Sequence, residues 1–389
     1  MEGKRFLRSI ELRNILSYGP EGVKLELEPL NVLIGANATG KSNLIQALRI
    51  LPAVPLDFAK PIREGGGIEE WIWKGAGGDG VARLATQIED PAIGTEVGYD
   101  LRFTAGRSRF SVAHEEIHGN GKRIYHFEPA YVPPQGGEPS SRGFLESDGK
   151  GFEVRRDLSI LAQLRSPNQD YEFSVLARWL PQLAFFQRPW MDEGLRRSQS
   201  ADLPGDFLLE NGHNLGLVLT GLMNRAGLRH VLLERMKRLF PQVEDVVVTV
   251  HGGGVQVFLL EAGLSTSTPS SRISDGTLHY LCLLAILLHP EPPPLVCIEE
   301  PELGLHPDAL SAVGEMLIEA SQRTQLIVTT HSPSLVSALS SVPEAVVVCE
   351  RGKAGTTLTR LEPANLKHWL DEYTLGDVWQ LGALGGNRW

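Results

Sequence analysis

The octapeptide Gly35-Ala36-Asn37-Ala38-Thr39-Gly40-Lys41-Ser42 fits G-x-x-x-x-G-K-[ST] at every fixed position, the spacing of a loop that wraps a phosphate. Glycines at 35 and 40 let the backbone turn its amide hydrogens inward around an anion. A helix that starts at Lys41 brings the positive end of its dipole to the same point. In such a loop Lys41 reaches the β- and γ-phosphates and Ser42 holds Mg²⁺, with Asn37 and Asn43 beside the triphosphate. A second chemical set follows far along the chain. Leu295-Val296-Cys297-Ile298-Glu299-Glu300 is an apolar run ended by two acids. One carboxylate at a strand end can anchor Mg²⁺ through water, and the next can polarise the water that attacks a γ-phosphate. Glu299 is assigned to the metal and Glu300 to the water, with Glu302 a third acid close enough to be confused with them. Leu326-Ile327-Val328-Thr329-Thr330-His331 is another apolar run, and its histidine can hydrogen-bond a γ-phosphate oxygen. Arg272-Ile273-Ser274-Asp275-Gly276-Thr277-Leu278 opens an apolar helix, with Ser274 placed as an N-cap and Asp275 as a first-turn acid. Singly, these read as a glycine-rich turn, a solvated acid pair, a structural histidine and a helix cap. An acidic strand end in the same chain as a phosphate loop favours the chemical reading, a nucleoside triphosphate with a metal ion.

These residues need strands and helices to hold them. Pro29 to Ile34 reads as a buried strand and Asn43 to Leu51 as an amphipathic helix, the two flanks a phosphate loop requires. Residues 6–34 alternate apolar and polar positions like an antiparallel hairpin, and residues 64–151 read as a glycine-rich β-meander. A turn-rich loop is expected at Tyr131 to Pro139. Helical periodicity covers Tyr171 to Leu183 and Asn214 to Phe240, with a short apolar strand at Leu183 to Phe186. From Val246 onward strands and helices alternate, which predicts a largely parallel sheet covered by helices, with a terminal helix from Pro363 to about Leu381.

Composition narrows the setting. The 389 residues are 22% charged and 42% hydrophobic, as in a globular protein with a large core. No run approaches the ~20 apolar residues of a membrane span, and the first residues lack a signal-peptide core, so a cytoplasmic protein is expected. Cys282, Cys297 and Cys349 lie inside apolar runs and read as buried free thiols. The net charge of −10 gives no global excess of Lys and Arg for duplex DNA. Basic pairs at Arg155-Arg156, Arg196-Arg197 and Lys237-Arg238 read as solvated faces.

The order of phosphate loop, serine-glycine signature at 274–277, acidic strand end at 295–300, Pro301-Glu302-Leu303-Gly304-Leu305-His306-Pro307 and histidine at 331 resembles the ABC-type ATPases of the SMC and RecF branch. It is more closely similar to the compact predicted ATPases of the AAA-21 and AAA-15 type, which include the ATPase half of OLD-family nucleases. The resemblance covers residues 5–55 and roughly 205–385, including Glu210-Asn211-Gly212-His213-Asn214-Leu215 ahead of the lid helices; residues 60–180 match poorly. It implies an α/β fold, a P-loop NTPase head of the ABC type with a β-rich N-terminal lobe and a helical lid insertion. The implied domains are an ATPase core at 1–60 and 245–389, a β-rich lobe at 61–187 and a lid segment at 188–244.

The resemblance further implies a homodimer with two Mg·ATP sandwiched between heads, Ser274 and Gly276 donating to the γ-phosphate of the partner's ATP. Asp275 stands where the family usually has glycine, and its charge should weaken closure unless the side chain turns away, so slow turnover would be no surprise. The glutamine that such heads supply to Mg²⁺ fits Gln187, at a strand end, better than Gln87 in mid-strand. The insertion lacks a long coiled coil, and residues 340–389 hold no second acidic metal cluster. Compact ATPases of the type this chain resembles are often found with a nuclease- or toxin-like partner in bacterial anti-phage defence, and the leading expectation that this resemblance implies is an ATPase that holds and releases a separate effector. The alternative is a RecF-like clamp on DNA; a transporter subunit, with a membrane partner, is disfavoured.

Overall fold

A computed structural model describes residues 2–106, 109–131, 140–146, 151–164, 171–187 and 193–386. The expected loop after Tyr131 lies outside these residues. The chain divides into two units, one built from Lys4–Leu183, Val347–Arg360 and the residues from Gly385, the other from Ala184–Val346 and Leu361–Leu384.

In the first unit an eight-stranded sheet runs in the order Val23–Glu26, Leu7–Arg13, Val81–Glu89, Glu96–Gly106, Arg109–Gly119, Lys122–Tyr131, Ser140–Leu145, Gly151–Glu153. Every pairing is antiparallel. Strand Val81–Glu89 shows why: Ala82, Leu84, Thr86 and Ile88 are buried and the intervening side chains are not, the period of a half-buried strand. The meander is continuous with the N-terminal hairpin, since Ile10 pairs with both Leu25 and Thr86. Residues on either side of the expected boundary near 61 therefore share one sheet, because an apolar strand edge at Leu7–Arg13 is satisfied only by pairing on both sides. Leu30–Ile34 is buried at all five positions and neighbours Val346–Gly352, which forms a hairpin with Gly355–Arg360. Helix Lys41–Leu48 follows the phosphate loop.

In the second unit three short strands run parallel, with Ala184–Phe186 and Gln325–Thr329 on either side of Leu295–Glu299. Helix Asp275–Leu287 is buried from Thr277 to its end, and Ala309–Ala320 buries one face. Three expectations need correction. Val243–His251 and Gly254–Glu261 do not join a parallel alternation; they form an antiparallel hairpin. Its turn is Gly252-Gly253, at φ +58° and +78°, the left-handed pair that a two-residue hairpin loop demands. The terminal helix is two, Pro363–Leu370 and Leu375–Gln380, the second begun by a capping box between Thr374 and Asp377. The stretch from Asn214 likewise breaks into Leu215–Met223 and Ala226–Leu239. The three cysteines are buried and free. Among the described residues no helix is long and apolar enough to cross a membrane.

Candidate functional site

The phosphate loop is shaped by what packs around it. A Cβ on Gly35 (φ +145°) would collide with the Cys349 carbonyl, and one on Gly40 (φ +105°) with the hydroxyls of Thr356 and Ser17. Both positions exclude any larger residue on conformation and space alike. The loop's carbonyls are bonded one after another. Lys41 Nζ donates to Gly35 O and Ala36 O at 2.8 Å each, and Thr39 Oγ1 also donates to Ala36 O at 2.9 Å. Arg351 donates to Ala38 O at 3.3 Å, Thr356 Oγ1 to Thr39 O at 2.7 Å and the Tyr18 hydroxyl to Gly40 O at 3.0 Å. With the carbonyls of residues 35, 36, 38, 39 and 40 engaged, the amides are the groups left to face an anion. Lys41 is 5% exposed, whereas Asn37 and Ser42 are exposed and Asn43 half-buried. Burial pushes the nearby Cys349 thiol up to about 12, with Lys41 acting weakly the other way, so it stays a neutral core group. A cleft of about 450 Å³ beside Asn43 is walled by Leu16, Ser17, Ile72, Trp73 and Arg351.

In the other unit the C-terminal edge of the three parallel strands gathers the remaining chemistry. Phe186 pairs with Ile298 and Glu299 with Thr329, so Gln187, Glu299, Glu300, Thr330 and His331 fall along one edge. Glu299 is 9% exposed and its Oε1 has no hydrogen-bond partner. A buried carboxylate oxygen left unpaired is strongly unfavourable without a cation, and oxygen donors suit Mg²⁺; Glu299 thus fits a magnesium ligand. Glu300 sits at φ +45°, a left-handed conformation rare for a non-glycine residue, held by its N–H donating to Thr329 O at 2.9 Å. His331 Nε2 lies 3.6 Å from Glu300 Oε1.

Glu302 is separated from this pair by its bonds. Its Oε1 accepts from Thr330 Oγ1 at 2.7 Å and from the His331 N–H at 2.8 Å, while Oε2 is buried and unpartnered. Burial holds its pKa above the usual carboxylate range. Glu302 therefore ties down the histidine turn. Sequence reasoning had found the residue without its role, because nothing local marks a contact with a strand that begins at Gln325.

At the signature turn Ser274 caps helix Asp275–Leu287: its Oγ accepts from Thr277 N–H at 3.1 Å and meets Thr277 Oγ1 at 2.7 Å. A Cβ on Gly276 would collide with the Gly304 carbonyl, so this helix start is pressed against the loop that follows Glu300. The exposed Asp275 carboxylate accepts from Arg196, whose guanidinium also donates to Ile273 O at 2.7 Å. Arg196 is thus fastened to the signature turn and is not a merely solvated half of the Arg196-Arg197 pair. Gln87, the weaker metal-ligand candidate, is exposed in mid-strand between Ser9 and Gly98.

A family model described as AAA domain, putative AbiEii toxin, Type IV TA system matches residues 30–337. Old nuclease of Escherichia phage P2 is 44% identical over 57 residues, 14% of this chain and 10% of that protein. DNA replication and repair protein RecF of Synechococcus sp. (strain JA-3-3Ab) is 30% identical over 103 residues, 26% of this chain and 24% of that protein. The chain thus spans a quarter or less of the length of these curated relatives. Among solved structures, an SmcHead bound to the C-winged helix domain of ScpA superposes with a TM-score of 0.59 at 15% identity, over 93% of this chain and 99% of that one. A Smc head domain with an extended coiled coil, bound to the C-terminal domain of ScpA derived from Pyrococcus furiosus, gives 0.56 at 13% identity, over 94% and 99%. At such identities the likeness establishes the fold alone, the α/β P-loop fold of these Smc head domains.

Proposed function

Because the chain belongs to the AAA_21 family of AAA domains and is an ATPase of the SMC, RecF and OLD type, we propose that it binds and hydrolyses Mg·ATP between two copies of itself and so gates a separate effector. The observation that carries the reading is the phosphate loop, whose carbonyls are taken up by Lys41, Thr39, Arg351, Thr356 and Tyr18. The loop amides from Gly35 to Gly40 and the start of helix Lys41–Leu48 take the β- and γ-phosphates, and Lys41 moves from its own loop's carbonyls to the phosphate oxygens. Asn37 and Asn43 add donors at the rim, and the cleft walled by Ile72 and Trp73 offers an apolar surface for the purine. Ser42 beside the phosphate loop, and Glu299 and Gln187 along the strand edge, are the residues that would hold Mg²⁺, which would supply positive charge against the phosphate oxygens.

Glu300 orients water and takes its proton as the water oxygen bonds to the γ-phosphorus. The bond from that phosphorus to the bridging oxygen breaks and ADP leaves, with phosphate as the second product. His331 donates to the γ-phosphate, and its 3.6 Å contact with Glu300 links the water to the phosphate being lost. Ser274 and Gly276, at a helix N-terminus suited to anions, serve the ATP of a second copy. Lys41→Ala is expected to abolish hydrolysis, measured as phosphate release; turnover at the parent rate would remove the basis of the reading.

The effector reading draws on the toxin named in the family description and on the similarity to Old nuclease, and it places the protein in bacterial anti-phage defence. Co-purification of the tagged chain with a nuclease- or toxin-like protein, released or activated by ATP, is the expected result. Nuclease activity intrinsic to this chain would contradict it. The RecF similarity supports a second reading, a DNA clamp, against which the net charge of −10 counts.

A further inference from the structure

Asp275 occupies the first position of helix Asp275–Leu287, between Ser274 and Gly276. The first amides of a helix lack intrahelical acceptors and attract anions. Ser274 Oγ already takes the Thr277 N–H, so beside the Ser274 hydroxyl the donors left for an incoming phosphate are the amides of Asp275 and Gly276. A carboxylate on Asp275 competes for those same amides and repels the same anion.

Arg196 removes this conflict. Its guanidinium donates both to the Ile273 carbonyl, at 2.7 Å, and to the Asp275 carboxylate. The Ser270 hydroxyl donates to the Arg196 carbonyl at 3.2 Å, so backbone and side-chain tip are both fastened to the turn that leads into the helix. Arg196 is 30% exposed and Asp275 81%, and an ion pair this wet contributes little to the stability of a single copy. Its weight changes when a second copy's triphosphate covers it, because a desolvated carboxylate beside phosphate is then unfavourable unless a cation holds it.

We propose that Arg196 is the positioning residue of the signature turn: by holding the Asp275 carboxylate it keeps the Asp275 and Gly276 amides open to the γ-phosphate of Mg·ATP bound on a second copy of this chain. The inference rests on the two-copy reading above. It assigns Arg196 an effect on assembly that passes entirely through Asp275.

The test uses the full-length chain in a Glu300→Gln background, with Mg·ATP and sedimentation velocity over a concentration series. Arg196→Ala is expected to weaken dimerisation by about tenfold or more, the scale of an uncompensated like-charge contact. Adding Asp275→Asn to Arg196→Ala is expected to restore it, and binding of a fluorescent ATP analogue by the monomer stays within about twofold throughout, which excludes misfolding. Parent-like dimerisation of Arg196→Ala overturns the inference, and so does a double variant as defective as the single one. If the Glu300→Gln parent itself stays monomeric with Mg·ATP, the two-copy reading fails first and the inference falls with it. The parent's behaviour therefore separates the two failures.

Discussion

Glu302 accepts from the Thr330 hydroxyl and the His331 N–H with one oxygen of a mostly buried carboxyl. Glu302→Ala leaves two donors without an acceptor, an expected loss of about 1–3 kcal/mol in unfolding free energy. It also frees the histidine turn, so the rate of hydrolysis should fall while ATP affinity at the phosphate loop is kept. Glu302→Gln retains an acceptor and should recover most of the stability. Denaturant unfolding with steady-state kinetics checks this, and an alanine variant that turns over at the parent rate would show that His331 needs no such tie. Glu299 and Glu300 predict differently, one through an unpaired buried oxygen and the other through a left-handed backbone. Glu299→Gln should raise the Mg²⁺ concentration needed for half-maximal ATPase, and a variant with an unchanged Mg²⁺ requirement would remove the ligand from that position.

At the level of elements, the strand Arg109–Gly119 is joined to the start of helix Ile160–Gln163 by Glu115, which accepts from the Tyr99 hydroxyl, the Ser159 hydroxyl and the Ile160 N–H. Burial raises its pKa above the unfolded value of 4.5. The folded state therefore holds the proton more tightly than the unfolded chain. This contribution to stability is complete below pH 4.5 and is lost as pH rises through the folded pKa. Glu115→Gln removes the titration, so the melting-temperature difference between parent and variant should shift in the variant's favour as pH rises from 4 toward 8. A difference independent of pH would contradict the assignment.

The meander and the phosphate-loop flanks were legible because periods of two and 3.6 residues, with a glycine spacing, are local properties of the chain. The continuity of Leu7–Arg13 with Val81–Glu89 was not, since pairing across that distance depends on which edges are left open. The hairpin at 243–261 carried a readable sign, Gly252-Gly253, which the surrounding βα rhythm overrode. Arg196 with Asp275 and Glu302 with His331 are contacts between separate elements, invisible to any local pattern. Gly276 belongs to the same class: Gly276→Ala collides with the Gly304 carbonyl, and it should impair hydrolysis while leaving nucleotide binding at the phosphate loop intact.

For the whole molecule, the charge of −10 sets the expectation for DNA. Binding to duplex DNA with ATP should be weak at physiological salt; tight binding with a steep salt slope would favour the RecF-like clamp instead. The central claim, that ATP closes two copies of the chain and hydrolysis reopens them, is tested most directly by the mass of two variants in sedimentation velocity with saturating Mg·ATP. Glu300→Gln is expected to bind ATP without hydrolysing it and to run as a dimer, whereas Lys41→Ala is expected to lose its hold on the phosphates and to run as a monomer. Two variants of the same mass under those conditions would contradict the account.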